Sequence, residues 1–254
     1  IDRMNRSEIF ALMTGGMATI AGGVLLAYIS ILGGEDDTQR IAFAKFLLCA
    51  SFMAAPASLV VAKLLVPQTE AIDDSLHVPK DKLGANFLDA LANGTSEGLK
   101  LAANVGAMLI AFIAFAGLVN GLLAKIHPGL SLDVLLGYVF APFAWLIGVE
   151  SADIREVGAL IGTKVVLNEF VAYQELGALK VAGELSARSI YLATFALCGF
   201  ANFASIGIQL GGTGSIAPGQ RPTIAALGFK AVLGGTMATL MTATLAGALY
   251  RWAV

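Results

Sequence analysis

The sequence predicts an all-α integral membrane protein that crosses the bilayer several times and contains broken helices, interfacial helices and a re-entrant hairpin. Of its 254 residues, 57% are hydrophobic and only 13% are charged, whereas a soluble domain carries about 25% charged residues. The apolar runs are long enough for membrane-spanning helices rather than barrel strands. Two distant apolar segments also share one pattern of small and polar residues, which indicates an inverted-repeat architecture.

The repeated pattern is Gly-x-Ala-polar-x-Ala-small, at residues 16–22 and 199–205, and it aligns Thr19 with Asn202. Polar groups and irregular backbone inside a membrane segment usually face a protein interior or a cavity. Two Gly-interrupted segments in corresponding positions are therefore typical of a transporter's substrate site. Small residues also favour close helix packing, which is the competing interpretation for either segment alone.

The first two predicted helices span residues 7–32 and 41–66. Ser7 is the expected N-cap of the first helix, because its hydroxyl can accept from the first free backbone N–H groups. This helix is expected to be interrupted at its two glycine pairs, where helix propensity is low. Pro56 predicts a kink in the second helix.

The middle of the chain begins with a polar connection at 67–86. An amphipathic helix at 87–100 is expected to lie at the membrane interface, followed by a third span at 101–124. The stretch 132–149 is short, apolar and interrupted by Pro142, and its aromatic residues favour an interfacial helix.

Two half-length apolar segments, 157–167 and 170–179, flank a polar pair that ends in Glu169. Each segment is too short to cross the bilayer alone, so together they predict a re-entrant hairpin with Glu169 near its tip. A broken helix at 186–212, a loop, and a last helix at 223–249 complete the chain.

The candidate binding residues lie at the hairpin tip and in the second broken helix. Glu169 is an ionisable residue inside a membrane segment, which indicates a functional site unless the turn is shallow and exposed. Asn202 and Ser205 are three residues apart and are expected to share one helix face. A carboxylate, an amide and a hydroxyl together suit a polyhydroxylated ligand such as a sugar ring. Phe200 either supplies an apolar wall for this ligand or packs in the core.

A candidate cation site lies in the first broken helix. The Thr19 hydroxyl and the Ile20 carbonyl are oxygen ligands of the kind that discontinuous helices offer to a hard cation. Near the hairpin tip, Asn168 is expected to orient the turn or to cap the following helix. Lys164 is expected to pair with an acidic residue or to extend to the interface.

Several classes of function are excluded by the sequence. It contains no nucleophile elbow, phosphate loop or HExxH motif, so no enzyme is expected, and Gly211–Gly214 is interpreted as a loop. The formal net charge of −2 offers no basic surface for a nucleic acid. Cys49 and Cys198 both lie in apolar runs, where we expect them to pack as free thiols.

The sequence resembles the concentrative nucleoside transporters, and most closely their bacterial members. The segments that carry the resemblance are Ser7-Glu8-Ile9-Phe10, residues 13–22, Gly137-Tyr138-Val139-Phe140-Ala141-Pro142, Gly162-Thr163-Lys164, Asn168-Glu169-Phe170-Val171-Ala172-Tyr173 and Cys198-Gly199-Phe200-Ala201-Asn202. The resemblance implies secondary active import of nucleosides, pyrimidine nucleosides among them, by symport with Na⁺ or, in some bacterial members, H⁺. It also implies a multi-pass homotrimer in the lipid bilayer of the bacterial inner membrane, with a scaffold and an elevator-like transport domain.

The resemblance also implies roles for particular residues. Glu169 would bind the ribose hydroxyls together with Asn202 and Ser205. Phe200 and Val24 would line the nucleobase. Bound Na⁺ would use the Thr19 hydroxyl and the Ile20 carbonyl oxygen, which are the same two atoms that the residues themselves indicate.

One departure from the family pattern concerns the start of the chain. The family's first scaffold helices and its first hairpin, with a Gly-Gln-Thr-Glu motif, are missing. Gln68-Thr69-Glu70 imitates that motif but follows Pro67 in the polar connection. The sequence is therefore expected to start just after the first hairpin.

Three regions are expected. Residues 1–66 would hold the first broken helix and following helix of the transport domain. Residues 67–130 would hold the polar connection, the amphipathic helix and a scaffold span. Residues 131–254 would hold the interfacial helix, hairpin, second broken helix and last helix. The alternatives to a nucleoside transporter are a hairpin-type transporter of another small polar solute and a non-transporting membrane scaffold subunit.

Overall fold

The computed structural model describes residues 1–70 and 85–253, and this part of the chain folds into α-helices without strands. The fold class expected from the sequence is therefore confirmed. The helices, in chain order, are α1 (Arg6–Ala18), α2 (Gly22–Gly33), α3 (Asp37–Leu65), α4 (Phe87–Ile126), α5 (Leu132–Leu146), α6 (Ile154–Val166), α7 (Glu169–Ala182), α8 (Ala187–Leu197), α9 (Phe203–Ile216), α10 (Arg221–Ala248) and α11 (Tyr250–Ala253).

The first broken helix is confirmed as the pair α1 and α2, separated at residues 19–21. The break lies between the two glycine pairs rather than at them. The N-cap is Asn5 and not Ser7, because Asn5 and Glu8 form a reciprocal capping box. The Ser7 hydroxyl instead donates to the carbonyl oxygen of Val66 at 2.7 Å, which fastens the start of α1 to the end of α3.

The middle of the chain differs from the prediction in one respect. The structure has a single helix, α4, where the sequence predicted an interfacial helix at 87–100 and a separate span at 101–124. Its 40 residues correspond to a length of about 60 Å at 1.5 Å per residue. No proline separates the polar first part from the apolar second part, and the helix continues through the change in composition. Most of the predicted polar connection, residues 71–84, lies outside the described residues.

The second half contains the predicted helical hairpin and the second broken helix. Helices α6 and α7 meet at a turn of residues 167–168, and α8 and α9 are separated at residues 198–202. Two predicted loops are wrong. Gly211–Gly214 continues α9, and the chain from Pro218 to Gln220 forms a 3₁₀ turn that leads directly into α10.

Helix α10 packs at the centre of the described structure, against α1, α3, α8 and α9. Gly235 allows a close approach, since a Cβ there would lie 2.8 Å from the Met17 Cβ and 3.0 Å from the Ala201 Cβ. Helix α4, by contrast, contacts chiefly α5. Among the described residues, the segments Arg6–Gly33, Asp37–Leu65 and Pro218–Ala248 are long and apolar enough to cross a membrane.

Candidate functional site

The hairpin tip places one carboxylate inside the protein. Asn168 caps α7, its side-chain oxygen accepting from the backbone N–H of Val171 at 2.9 Å, as the sequence predicted. Glu169 is the first residue of α7 and only 5% exposed. A helix N-terminus favours a negative charge, and the low exposure excludes the alternative of a shallow, solvated turn.

Both oxygens of the Glu169 carboxylate accept hydrogen bonds. The Tyr28 hydroxyl donates to Oε1 at 3.1 Å, and the Asn202 side-chain amide donates to Oε2 at 3.0 Å. Tyr28 belongs to α2, and Asn202 precedes α9. The carboxylate therefore joins the hairpin to the second halves of both broken helices.

Asn202 has a second role as the N-cap of α9. Its side-chain oxygen accepts from the backbone N–H of Ser205 at 2.9 Å and from the Ser205 hydroxyl at 3.0 Å. The prediction that the two residues share a helix face is wrong, because Asn202 precedes the helix. They are nevertheless adjacent, and Asn202 links Ser205 to the carboxylate of Glu169.

The two helix breaks are in contact with each other. Gly199 has a φ of 141°, a conformation that favours glycine. A Cβ at this position would lie 2.7 Å from the carbonyl oxygen of Ala18, the last residue of α1. The two sequence segments that share the repeated pattern thus cross where both helices are interrupted.

Phe200 and Val24 are both half-buried. Phe200 lies within the second break, and its carbonyl oxygen accepts from the backbone N–H of Asn202 at 2.9 Å. Val24 packs at the edge of the apolar cluster that contains Tyr28. Part of each residue therefore remains exposed.

The candidate cation ligands lie in the first break. Thr19 is the C-cap residue that follows α1, and its hydroxyl donates to the carbonyl oxygen of Gly15 at 3.0 Å, so its oxygen lone pairs remain available. The backbone at Thr19 and Ala21 is extended, which removes Ile20 from the helical hydrogen-bond pattern. A hydroxyl and a carbonyl oxygen suit a hard cation, but a complete shell holds about six oxygens, so further ligands are required.

Two residues of this region were not assigned correctly from the sequence. Tyr28 was overlooked, although a hydroxyl inside an apolar half-helix, four residues after Val24, indicates a buried partner. Lys164 neither pairs with an acidic side chain by a short contact nor extends to an interface. It is fully buried, and its ammonium group donates to the Ala196 carbonyl oxygen and the Thr239 hydroxyl, both at 2.9 Å.

Known proteins with similar sequences are transporters and permeases. The family model described as "Na+ dependent nucleoside transporter C-terminus" matches residues 46–247. The chain is 46% identical to an uncharacterised transporter, YutK, of Bacillus subtilis, over 96% of this chain and 60% of the relative. It is 42% identical to the nucleoside permease NupC of Helicobacter pylori, over 96% of this chain and 58% of the relative.

A solved structure has the same fold. The transporter CNTnw, in an inward-facing substrate-bound state, superposes with a TM-score of 0.85 at 41% identity, over 98% of this chain and 59% of that one. The chain therefore spans about three fifths of the length of each of these three proteins.

Proposed function

Because the chain belongs to the family of concentrative, Na⁺-dependent nucleoside transporters, we propose that it binds nucleosides and forms part of a symporter that imports them. It is a multi-pass cell membrane protein, and its relatives are transporters and permeases rather than enzymes. The nucleoside substrate and the coupling cation are parts of this proposal.

The observation that supports nucleoside binding best is the arrangement around Glu169. A ribose ring offers two neighbouring hydroxyl donors, and an ionised carboxylate is an acceptor at both oxygens. The Tyr28 hydroxyl and the Asn202 amide hold this carboxylate from two sides. Each carboxylate oxygen has lone pairs for a further donor, so the ribose hydroxyls can bind without releasing either side chain.

We assign the remaining substrate contacts from the positions of Ser205, Phe200 and Val24 in the chain, close to the residues that bind Glu169. Ser205 is held beside Asn202 by their hydrogen bond and is proposed to contact the sugar. Phe200 and Val24 are proposed to line the nucleobase, since an aromatic ring and a branched aliphatic side chain offer an apolar surface to a flat ring. Their incomplete burial is consistent with this role.

The coupling ion is proposed to be Na⁺, with H⁺ as the alternative. Na⁺ would be held by the Thr19 hydroxyl and the Ile20 carbonyl oxygen and would supply a positive charge at the end of α1. A helix C-terminus carries partial negative charge, so this is a favourable place for a cation.

An elevator-like homotrimer is the assembly that we propose. Residues 1–66 and 131–254 would form the transport domain, and residues 67–130 would belong to the scaffold. Two packing features support this division. The broken helices, the hairpin and α10 pack on one another, whereas α4 contacts chiefly α5.

Uptake of labelled uridine by the full-length transporter in proteoliposomes tests the function. We expect uptake to require a Na⁺ gradient and to be inhibited by unlabelled nucleosides. Inhibition by sugars or amino acids but not by nucleosides would favour a transporter of another polar solute. A protein that nucleosides neither stabilise against heat nor inhibit would be a scaffold subunit instead.

A further inference from the structure

Lys164 is a buried cation that the proposed function does not yet use. It lies in the last turn of α6, and its side chain is 0% exposed. Removing an ammonium group from water is costly unless hydrogen bonds and opposite charge compensate it. The groups around the Lys164 ammonium must therefore supply hydrogen bonds and negative charge.

The first compensation comes from the broken end of α8. Ala196 lies in the last turn of α8, and its carbonyl oxygen accepts from the Lys164 ammonium at 2.9 Å. The last four carbonyl groups of a helix lack partners within the helix and carry its partial negative charge. Lys164 thus caps the helix where the chain breaks. The Thr239 hydroxyl of α10 accepts a second hydrogen bond from the ammonium at 2.9 Å and itself donates to the Thr236 carbonyl oxygen at 3.0 Å.

The second compensation is Glu169. Lys164 and Glu169 lie on opposite sides of the turn between α6 and α7, so two buried side chains of opposite charge flank the hairpin tip. Both side chains also contact the second helix break. Lys164 binds the Ala196 carbonyl just before the break, and Glu169 binds Asn202 at the end of the break. The hairpin tip is therefore fastened to the break at two points, one cationic and one anionic.

We propose that Lys164 is a positioning residue of the nucleoside site and supplies a permanent positive charge there. The ammonium group fixes the broken end of α8 and supplies the positive charge that keeps Glu169 an anion when it binds ribose. The partial negative charge of the helix end at each break would then be compensated differently. At the first break a bound cation would exchange with solvent, whereas at the second break the cation is the Lys164 side chain. This inference rests on the proposed function, because it requires Glu169 to bind the ribose hydroxyls.

The test is isothermal titration calorimetry on the full-length transporter with uridine and 2′-deoxyuridine. Lys164→Met has a similar length without the charge. We expect it to weaken uridine binding by about tenfold or more, in the range of a charge-assisted hydrogen bond, and to weaken 2′-deoxyuridine binding less. Lys164→Arg keeps the charge and should preserve the ratio between the two affinities, even if both fall.

Lys180→Met is the matched control. Lys180 also donates to the end of a helix, the Leu32 carbonyl oxygen at 2.7 Å, and its ammonium lies over the Phe43 ring. It therefore has the same kind of capping contact at the opposite end of α7 from Glu169. We expect this variant to leave the ratio of uridine to 2′-deoxyuridine affinity unchanged.

Glu169→Gln, measured in parallel, separates the two hypotheses. If it leaves the affinity ratio unchanged, the ribose assignment in the proposed function fails. If Glu169→Gln lowers the ratio of uridine to 2′-deoxyuridine affinity and Lys164→Met does not, the role of Lys164 is refuted while the proposed function survives. If Lys164→Met does not fold, the double variant with Glu169→Gln decides. Two mutually compensating charges predict that removing both restores a folded protein, and a double variant that is no better folded would refute the inference.

Discussion

Replacing Glu169 by Gln tests the proposed site most directly, because the change keeps the shape of the side chain and removes its charge. In the structure Oε1 accepts from Tyr28 at 3.1 Å and Oε2 accepts from Asn202 at 3.0 Å. The Gln side chain retains one acceptor oxygen and replaces the other by a donor. Asn202 can donate to the oxygen, and the Tyr28 hydroxyl, which also accepts, can rotate to receive the new N–H.

The expected magnitudes follow from this rearrangement. Both hydrogen-bonding neighbours keep a partner, but the buried Lys164 loses its opposite charge, so the melting temperature of the ligand-free protein should fall. The ribose, however, loses a charged acceptor and one acceptor position. A hydrogen bond to a charged group contributes about 1.5–3 kcal/mol, which corresponds to a loss of about 10- to 150-fold in affinity. The loss should be smaller for 2′- and 3′-deoxyuridine, since each lacks one of the hydroxyl donors.

Calorimetry with uridine and both deoxynucleosides measures this difference. Glu175→Gln is the control, because Glu175 lies on the same helix α7 and is only half-buried. It should leave all three affinities close to those of the wild type. Equal discrimination between ribo- and deoxynucleosides in the wild type and in Glu169→Gln would remove Glu169 from the ribose site.

The remaining predictions concern the two helix breaks. Tyr28→Phe removes one donor to the carboxylate and should weaken uridine binding by about fivefold, as expected for about 1 kcal/mol, in the same calorimetric assay; an unchanged affinity would contradict a role in holding Glu169. Thr19→Ala should weaken the Na⁺ dependence of uptake more than nucleoside binding, and an unaltered Na⁺ dependence would mean that Thr19 is not a ligand or that H⁺ is the coupling ion. Gly199→Ala should lower the melting temperature, because the new Cβ would lie 2.7 Å from the Ala18 carbonyl oxygen at a φ of 141°, and such backbone strain alone costs about 1–3 kcal/mol. Gly211→Ala, where nothing lies within 4 Å of the new Cβ, should not, and equal melting temperatures would show that the breaks do not cross tightly.

The elements that the sequence predicted best are those with a strong local signal. Half-length apolar segments and a polar pair sufficed to locate the hairpin, and the repeated pattern located both breaks to within a few residues. The cap of α1 was misplaced because Asn5 and Ser7 are both good capping residues. Only the position of Val66, distant in sequence, shows where the Ser7 hydroxyl donates.

The partners of the candidate site residues could not be predicted in the same way. The contacts from Tyr28 and Asn202 to Glu169 span 141 and 33 positions of the sequence, and no periodicity encodes a pairing over such distances. The same holds for Lys164. Its charge indicated a partner, but the acceptors are a backbone carbonyl and a hydroxyl, which the sequence does not distinguish from many others.

The geometry of Asn202 explains why a substrate site can be built from interrupted helices. Breaking a helix leaves backbone N–H groups without partners, and an Asn at the break can satisfy one of them with its oxygen. Its amide nitrogen is then directed away from the helix and is available to a carboxylate on another element. One side chain therefore stabilises the break and orients Glu169. An exchange of Asn202 for Asp would keep the cap, since Asp is an equally good capping residue, but would set two carboxylates against each other. The amide is thus required by the site, whereas the helix requires only the oxygen.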